Sequence, residues 1–332
     1  MSDYIGIDVS KKKLDCSWLK EISSGKLKSK VFKNTSEGYH ELISWLQQHV
    51  AEDLSTITVT LEPTGVYHEA LSYYLHEKGL KLLLVNPGKA KAFADSQNQQ
   101  NKTDKKDSVM LARYGYHCRG SLVEWKPERP EIRQLKSMIR RLGMLEQDCQ
   151  REENRLEAAE CSDVSERVLD SIHDMTKVLK EEIEKLKRDI DDHIDGYPEL
   201  KQDRNLLMSI TGVGEVVSRE MVYLLNSKSF SSGRQVSAFL GLTPRHCESG
   251  QWRGRTRISK KGPGRLRAKL YMAAVVCCQH NELIRILYRR LLSNGKTKME
   301  ALCAAMRKLV EICFAVLKHQ SEYRSQSTQK SG

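Results

Sequence analysis

Residues 3–33 read DYIGIDVSKKKLDCSWLKEISSGKLKSKVFK. Three stretches within them carry the structural signal. Residues 4–9 form a short apolar run, residues 14–19 a second run after a tight basic turn, and residues 28–32 alternate with period two. Runs this short, and this alternation, belong to strands rather than helices, so the three predict an antiparallel meander. A helix is expected next, at 36–50, where Tyr39, Leu42, Ile43, Leu46 and Val50 recur at helical spacing behind Ser36 as N-cap. Residues 56–61 then read as a fourth strand, 67–78 as a helix stopped at Gly79, and 81–85 as a buried strand ended by Asn86 and Pro87. Further helices start near 89 and 108. The order is β-β-β-α-β-α-β.

That order is the one used by ribonuclease-H-like α/β domains, in which a meander pairs with parallel strands across helical crossovers. The pattern changes after Trp125, where residues 126–130 hold two prolines and the chain beyond turns densely charged and helical. From Val164 to Ile194, nine apolar positions recur about every 3.75 residues, a single stripe on a polar body. A helix so patterned needs a partner. It can be the earlier helix at 135–145 in a hairpin, or another protomer in a coiled coil. The expected organisation is an α/β domain at 1–125, a helical segment at 126–198, a mainly α-helical domain at 199–320 and a polar, disordered tail at 321–332.

Composition narrows the function. The 332 residues include 55 Lys and Arg against 43 Asp and Glu, a net charge of +12, which points to an acidic partner. Nine bases against one acid lie between Arg245 and Lys269, so much of the excess is local. No apolar run approaches the ~20 residues of a membrane span. The first residues lack the pattern of a secretory signal, so the protein is expected to stay in the cytoplasm. Nine scattered cysteines with no CxxC pair argue against both a disulfide framework and a zinc ribbon.

Four carboxylates stand out. Asp8 closes the first apolar strand, and Glu62 follows the fourth strand before Pro63, Thr64 and Gly65. An unpaired charge at such a place is costly unless something positive binds it. The first and fourth strands are expected to be neighbours, which sets both acids at one edge. Asp104 and Asp107, in NKTDKKD, fall on one face if a helix starts there. Oxygen-only clusters suit Mg²⁺ or Mn²⁺, and paired ions of this kind stabilise the entering and leaving oxygens of phosphoryl transfer.

Two further motifs concern phosphate. Thr211-Gly212-Val213-Gly214 joins an apolar helix end to a new helix at Glu215. It fits a helix-hairpin-helix element whose amides approach a backbone phosphate through Gly212 and Gly214, and equally a plain packing joint. The run GLTPRHCESG (241–250), with Arg253, Arg255 and Arg257 just after, sets a serine among guanidinium groups that could bind a phosphodiester. By residue type alone, Ser249 and Ser259 are equal candidates for a nucleophile. Arg245, Arg253, Arg255, Arg257, Lys260 and Lys261 are the candidate phosphate contacts.

Together, YIGIDVS, EPTG, VNP, NKTDKKD, TGVG and GLTPR…ESG…RG…ISKKG, in this order from about Tyr4 to Lys318, resemble the insertion-sequence recombinases of family one-hundred-and-ten. These are the bridge-RNA-guided DEDD transposases. The resemblance implies a RuvC-like domain binding Mg²⁺ through Asp8, Glu62, Asp104 and Asp107, a coiled-coil segment for dimerisation, and a transposase domain whose nucleophile is Ser249. It further implies a composite site in a tetramer, with acids and serine from different protomers, a covalent protein–DNA link, and donor and target double-stranded DNA both paired to a structured noncoding guide RNA. Bacterial or archaeal, nucleoid-associated action follows. Ser108, after Asp107, departs from the small apolar residue expected there. A junction-resolving nuclease using metal-activated water, or a non-catalytic nucleic-acid-binding protein, are the rival readings.

Overall fold

The computed structural model describes residues 3–21, 26–63, 65–97, 104–245, 248–249, 252–253 and 257–324; of residues 104, 105, 248, 249, 252 and 253 the backbone alone is described. The chain forms two compact units, Met1–Pro127 and Glu128–Gly332.

In the first unit, strands β1 (Asp3–Val9), β2 (Lys13–Glu21) and β3 (Lys26–Lys33) form the meander. Helix α1 (Ser36–His49) follows, then β4 (Ile57–Leu61), α2 (Glu69–Glu77), β5 (Lys81–Leu84), α3 (Pro87–Ser96) and α4 (Asp104–His117). The N-cap of α1 is Thr35 rather than Ser36: its side chain accepts from the Gly38 amide at 3.3 Å. The sheet order is β3-β2-β1-β4-β5, with β1 antiparallel to β2 and parallel to β4. This is the mixed sheet of a ribonuclease-H-like, RuvC-like fold.

The central strand explains the layering. Ile5, Ile7 and Val9 face one side and are buried with Leu42 and Leu46 of α1 and Leu71 and Leu75 of α2. Each such side chain contributes about 1.5–3 kcal/mol relative to exposure. Tyr4, Gly6 and Asp8 face the other side, where α4 lies. All five residues of β4 are buried, as expected of a strand covered on both faces.

The second unit is helical. Helix α5 (Pro130–Glu160) and helix α6 (Glu166–Asp195) form an antiparallel hairpin, far longer on the α5 side than the apolar positions at 135–145 indicate. Helices α7 (Pro198–Met208), α8 (Glu215–Ser227), α9 (Gly233–Phe239), α10 (Gly264–His280), α11 (Glu282–Ser293) and α12 (Lys298–His319) complete it. One core runs from Leu135, Ile139 and Leu142 of the hairpin through Leu207, Met221 and Leu270 to Leu309 and Cys313. Arg219 of α8, buried, grips Asp191 of α6 through two hydrogen bonds of 2.7 and 2.6 Å. Such a bidentate pair fixes orientation as well as charge.

Residues 321–324 are held rather than free: the Tyr323 amide donates to Ser209 Oγ at 2.9 Å and its hydroxyl to Asn281 Oδ1 at 3.1 Å. The rest of the expected tail lies outside the described residues. The eight described cysteines are free thiols, and burial pushes those of Cys277 and Cys313 up to about 12, so both stay protonated and inert. No described helix is long and apolar enough to cross a membrane.

Candidate active site

The acids are arranged by backbone register. Ile7 pairs with Leu61 in the parallel β1–β4 ladder. Asp8 and Glu62 are the next residues, so they sit side by side at the carboxyl ends of adjacent strands, both half-buried.

Gly6 and Gly115 decide how close α4 comes. A Cβ on Gly6 would overlap the Ser108 carbonyl oxygen and the Ala112 amide nitrogen, and one on Gly115 would overlap Thr60 Oγ1. Both glycines are therefore contact surfaces, letting the helix rest on β1 and β4. Asp107 lies in the first turn of α4, next to the carbonyl that touches Gly6, and is half-buried. Asp104 opens the same helix three residues earlier; its carboxylate is outside the described residues. Among the described residues no three metal-ligating side chains are grouped, so Asp8, Glu62 and Asp107 do not by themselves form such a group.

Ser108 is the residue that departed from the expected apolar type, and its surroundings account for it. It is buried, with Oγ 2.8 Å from Ser17 Oγ on β2, which is 2.9 Å from Ser29 Oγ on β3. A hydroxyl chain thus runs from the edge strand to α4, and each buried oxygen keeps a partner.

The serine motif, a loop by composition, forms short antiparallel pairs. Pro244–Arg245 (β6) pairs with Arg257–Ile258 (β9), and Glu248–Ser249 (β7) with Trp252–Arg253 (β8). Ser249 lies opposite Trp252, so it belongs to the inner, in sequence, of the two strand pairs of this narrow ribbon segment. The side chains of Ser249 and Arg253, and all of Arg255, lie outside the described residues. Arg245, Arg257, Lys260 and Lys261 are exposed.

The root of the ribbon is tightly built. Gly241 and Gly262 have φ of 70° and 126°, and a Cβ on Gly262 would overlap the Phe239 carbonyl oxygen. The Lys260 amide donates to the Gly241 carbonyl at 3.1 Å, and Arg267 Nη1 donates to the carbonyls of Leu240 and Gly262 at 3.1 and 3.0 Å.

The basic cluster is smaller than composition suggests. Arg265 donates to the Ile139 carbonyl and to Glu220, Lys269 pairs with Glu220 and Glu146 at 3.0 and 3.3 Å, and Arg267 braces the ribbon root. These three cations hold helices together.

Of the two motif glycines, Gly212 has φ of 97° and a Cβ there would overlap Cys277 Sγ of α10, which satisfies the packing-joint reading. Gly214 is the N-cap of α8, with open space where a Cβ would stand.

Residues 5–159 match a family described as transposase, and residues 204–289 match the transposase IS116/IS110/IS902 family. The pilin gene-inverting proteins of Moraxella bovis and Moraxella lacunata are each 30% identical over 323 residues, 96% of this chain and 97% of theirs. The chain belongs to the IS116/IS110/IS902 transposase family. A solved structure of T. thermophilus RuvC in complex with a Holliday junction substrate is similar over 36% of this chain and 98% of that one, at 14% identity and a TM-score of 0.26. The strand order, not that superposition, establishes the fold of this transposase-family chain.

One residue of the site escapes a sequence reading. Asn34, after β3, donates from Nδ2 to the Ser10 carbonyl at 2.8 Å and to the Tyr67 carbonyl at 3.1 Å, and its Oδ1 accepts from the Tyr39 hydroxyl at 2.6 Å. It therefore ties together the segments that leave Asp8 and Glu62. Only the Asn-before-helix pattern in Asn34-Thr35 hints at it. Asn34→Ala is expected to lower the unfolding free energy by about 1–3 kcal/mol, through the partners left unsatisfied. Denaturant melts of the variant beside Asn34→Asp, which keeps the acceptor for Tyr39, measure this.

Proposed function

We propose that the chain is an RNA-guided, site-specific DNA recombinase of an insertion sequence that cleaves and rejoins donor and target strands through a serine–DNA link. The observation that carries this reading is the side-by-side placement of Asp8 and Glu62 at paired strand ends, with the first turn of α4 seated on Gly6 beside them. The full-length similarity to proteins that invert a pilin gene supports DNA rearrangement as the outcome.

The oxygen-only donor set of Asp8, Glu62, Asp104 and Asp107 fits Mg²⁺ or Mn²⁺, which when bound supplies charge stabilisation at the phosphoryl oxygens. Ser249 Oγ attacks phosphorus: an Oγ–P bond forms, the bond from phosphorus to the 3′ oxygen breaks, and the serine proton passes to the released 3′ hydroxyl. Rejoining runs the same exchange backwards with the 3′ hydroxyl of the other duplex, so the number of phosphoester bonds is conserved. Arg245, Arg253, Arg255, Arg257, Lys260 and Lys261, with the amide end of α8 at Gly214, hold backbone phosphates. Pairing with a structured noncoding RNA reads the sequence.

Acids and serine come from different protomers in this reading. The exposed Val168, Met175 and Val178 of α6 support contacts between hairpins, building dimers and then tetramers.

The test uses the full chain with the noncoding RNA encoded beside its gene and matching DNA. Asp107→Asn is expected to slow strand cleavage by on the order of 10³-fold, the scale of losing one electrostatic contribution at a preorganised site. Ser249→Ala is expected to remove cleavage altogether. Full cleavage by Ser249→Ala would assign the chemistry to water, as in a junction-resolving nuclease, and unchanged activity in Asp107→Asn would remove the metal site.

A further inference from the structure

A second basic surface borders the acids and is not among the motifs above. Residues 10–34 hold eight lysines against two acids. They divide by face. Asp8 pairs with Asp15 across the β1–β2 ladder, and Lys13 pairs with Lys33 across β2–β3, so all four share the face on which α4 lies. Lys28 and Lys30 are opposite Trp18 and Cys16, on the other face, and Lys30 lies over the Phe32 ring. Lys11 and Lys12 occupy the turn just beyond Val9.

Two features mark the near-side set. Like charges directly opposite one another, as in Lys13 and Lys33, weaken a sheet unless something offsets them. Of the acids near this set, Asp15 is buried and takes Lys13 at 3.0 Å, while Lys33 has a charge interaction with the exposed Glu37 of α1 rather than an ion pair. Lys11, Lys12 and Lys33 are exposed and form no ion pair among the described residues. The turn that presents them is also firmly held. Ser10 Oγ donates to the Lys13 carbonyl at 2.9 Å and accepts the Lys13 amide at 3.2 Å, and the Asn34 amide donates to the Lys12 carbonyl at 3.0 Å.

We propose that Lys11, Lys12 and Lys33 form a phosphate-binding rail that carries the DNA strand across the sheet edge to Asp8 and Glu62. The inference rests on the recombinase reading for its choice of DNA, since a strand cut at Asp8 passes the turn two residues beyond it. Three fixed cations at that edge contact phosphates flanking the scissile one and add affinity without reading bases.

The experiment is a salt titration in EDTA, without cleavage, of the full chain binding a 30-base-pair duplex of arbitrary sequence and, separately, an RNA hairpin of equal charge. Each phosphate contact contributes about 0.9 to the slope of log K against log salt on duplex DNA. K11A/K12A/K33A is expected to reduce the DNA slope by roughly 2.7, while K11R/K12R/K33R keeps the wild-type slope and both melt like wild type. Should the triple variant melt early, K11A, K12A and K33A singly are each expected to reduce it by about 0.9. An unchanged DNA slope, or a loss confined to the RNA hairpin, overturns the rail. Because no metal or chemistry enters, this outcome is independent of whether Asp107→Asn abolishes cleavage.

Discussion

Gly6→Ala is expected to reduce strand cleavage by at least about 100-fold while leaving the chain folded. The added methyl would meet the Ser108 carbonyl and the Ala112 amide, both backbone atoms of α4, so no side-chain rotation makes room. The helix must lift from β1. That breaks the contact of Ser108 with Ser17 and moves Asp107, its neighbour in sequence, away from the edge where Asp8 and Glu62 sit. A displacement near 1 Å at a reacting centre costs on the order of 10²-fold. Overpacking of this kind costs about 1–3 kcal/mol, less than most domains hold in reserve. Cleavage rates measured below the melting transition, with Mn²⁺ affinity read by calorimetry, check it: both should fall. Wild-type cleavage in Gly6→Ala would mean that the approach of α4 to β1 does not set the acid site.

Gly262→Ala is expected to have an equally large effect through the other half of the chemistry. Its φ of 126° lies where a side chain is strained, and its Cβ would strike the Phe239 carbonyl oxygen. Strain of that sort costs about 1–3 kcal/mol, and the chain relieves it by shifting the root of the ribbon. Arg267, which braces the Leu240 and Gly262 carbonyls, loses its seat, and the inner strand pair carrying Ser249 moves with the root. Cleavage should drop about 100-fold, whereas Mn²⁺ affinity at the acids stays at the wild-type value. The two glycines thus give opposite metal-binding results with similar losses of activity. A fall in Mn²⁺ affinity in Gly262→Ala would show that the variant damages the whole molecule and not the ribbon.

The meander, the parallel fourth strand and the neighbouring positions of Asp8 and Glu62 were legible because they depend on local alternation and on short runs. The role of Gly6 was not: within YIGIDV it breaks no pattern, and the helix that needs it comes about a hundred residues later. Ser108 reads as a blemish until Ser17 and Ser29 are set beside it, a partnership across three elements. Helix α5 was read too short because its second half has few apolar residues; it is held by packing against α6 and by pairs such as Lys180 with Glu153. The short ribbon strands, two residues each, fall below any periodicity. Charge counting misjudged Arg265, Arg267 and Lys269 because the acid and carbonyl partners that turn them inward are distant in sequence.

The claim on which the rest depends is that one serine, presented on that ribbon, joins the chain to DNA. Stopping the wild-type reaction with detergent, digesting the protein and sequencing the DNA-linked peptide measures it directly. The expected result is a single linked peptide with the DNA on Ser249, absent in Ser249→Ala and in Asp107→Asn. DNA on Ser259, or strands cut with no linked peptide at all, would contradict it.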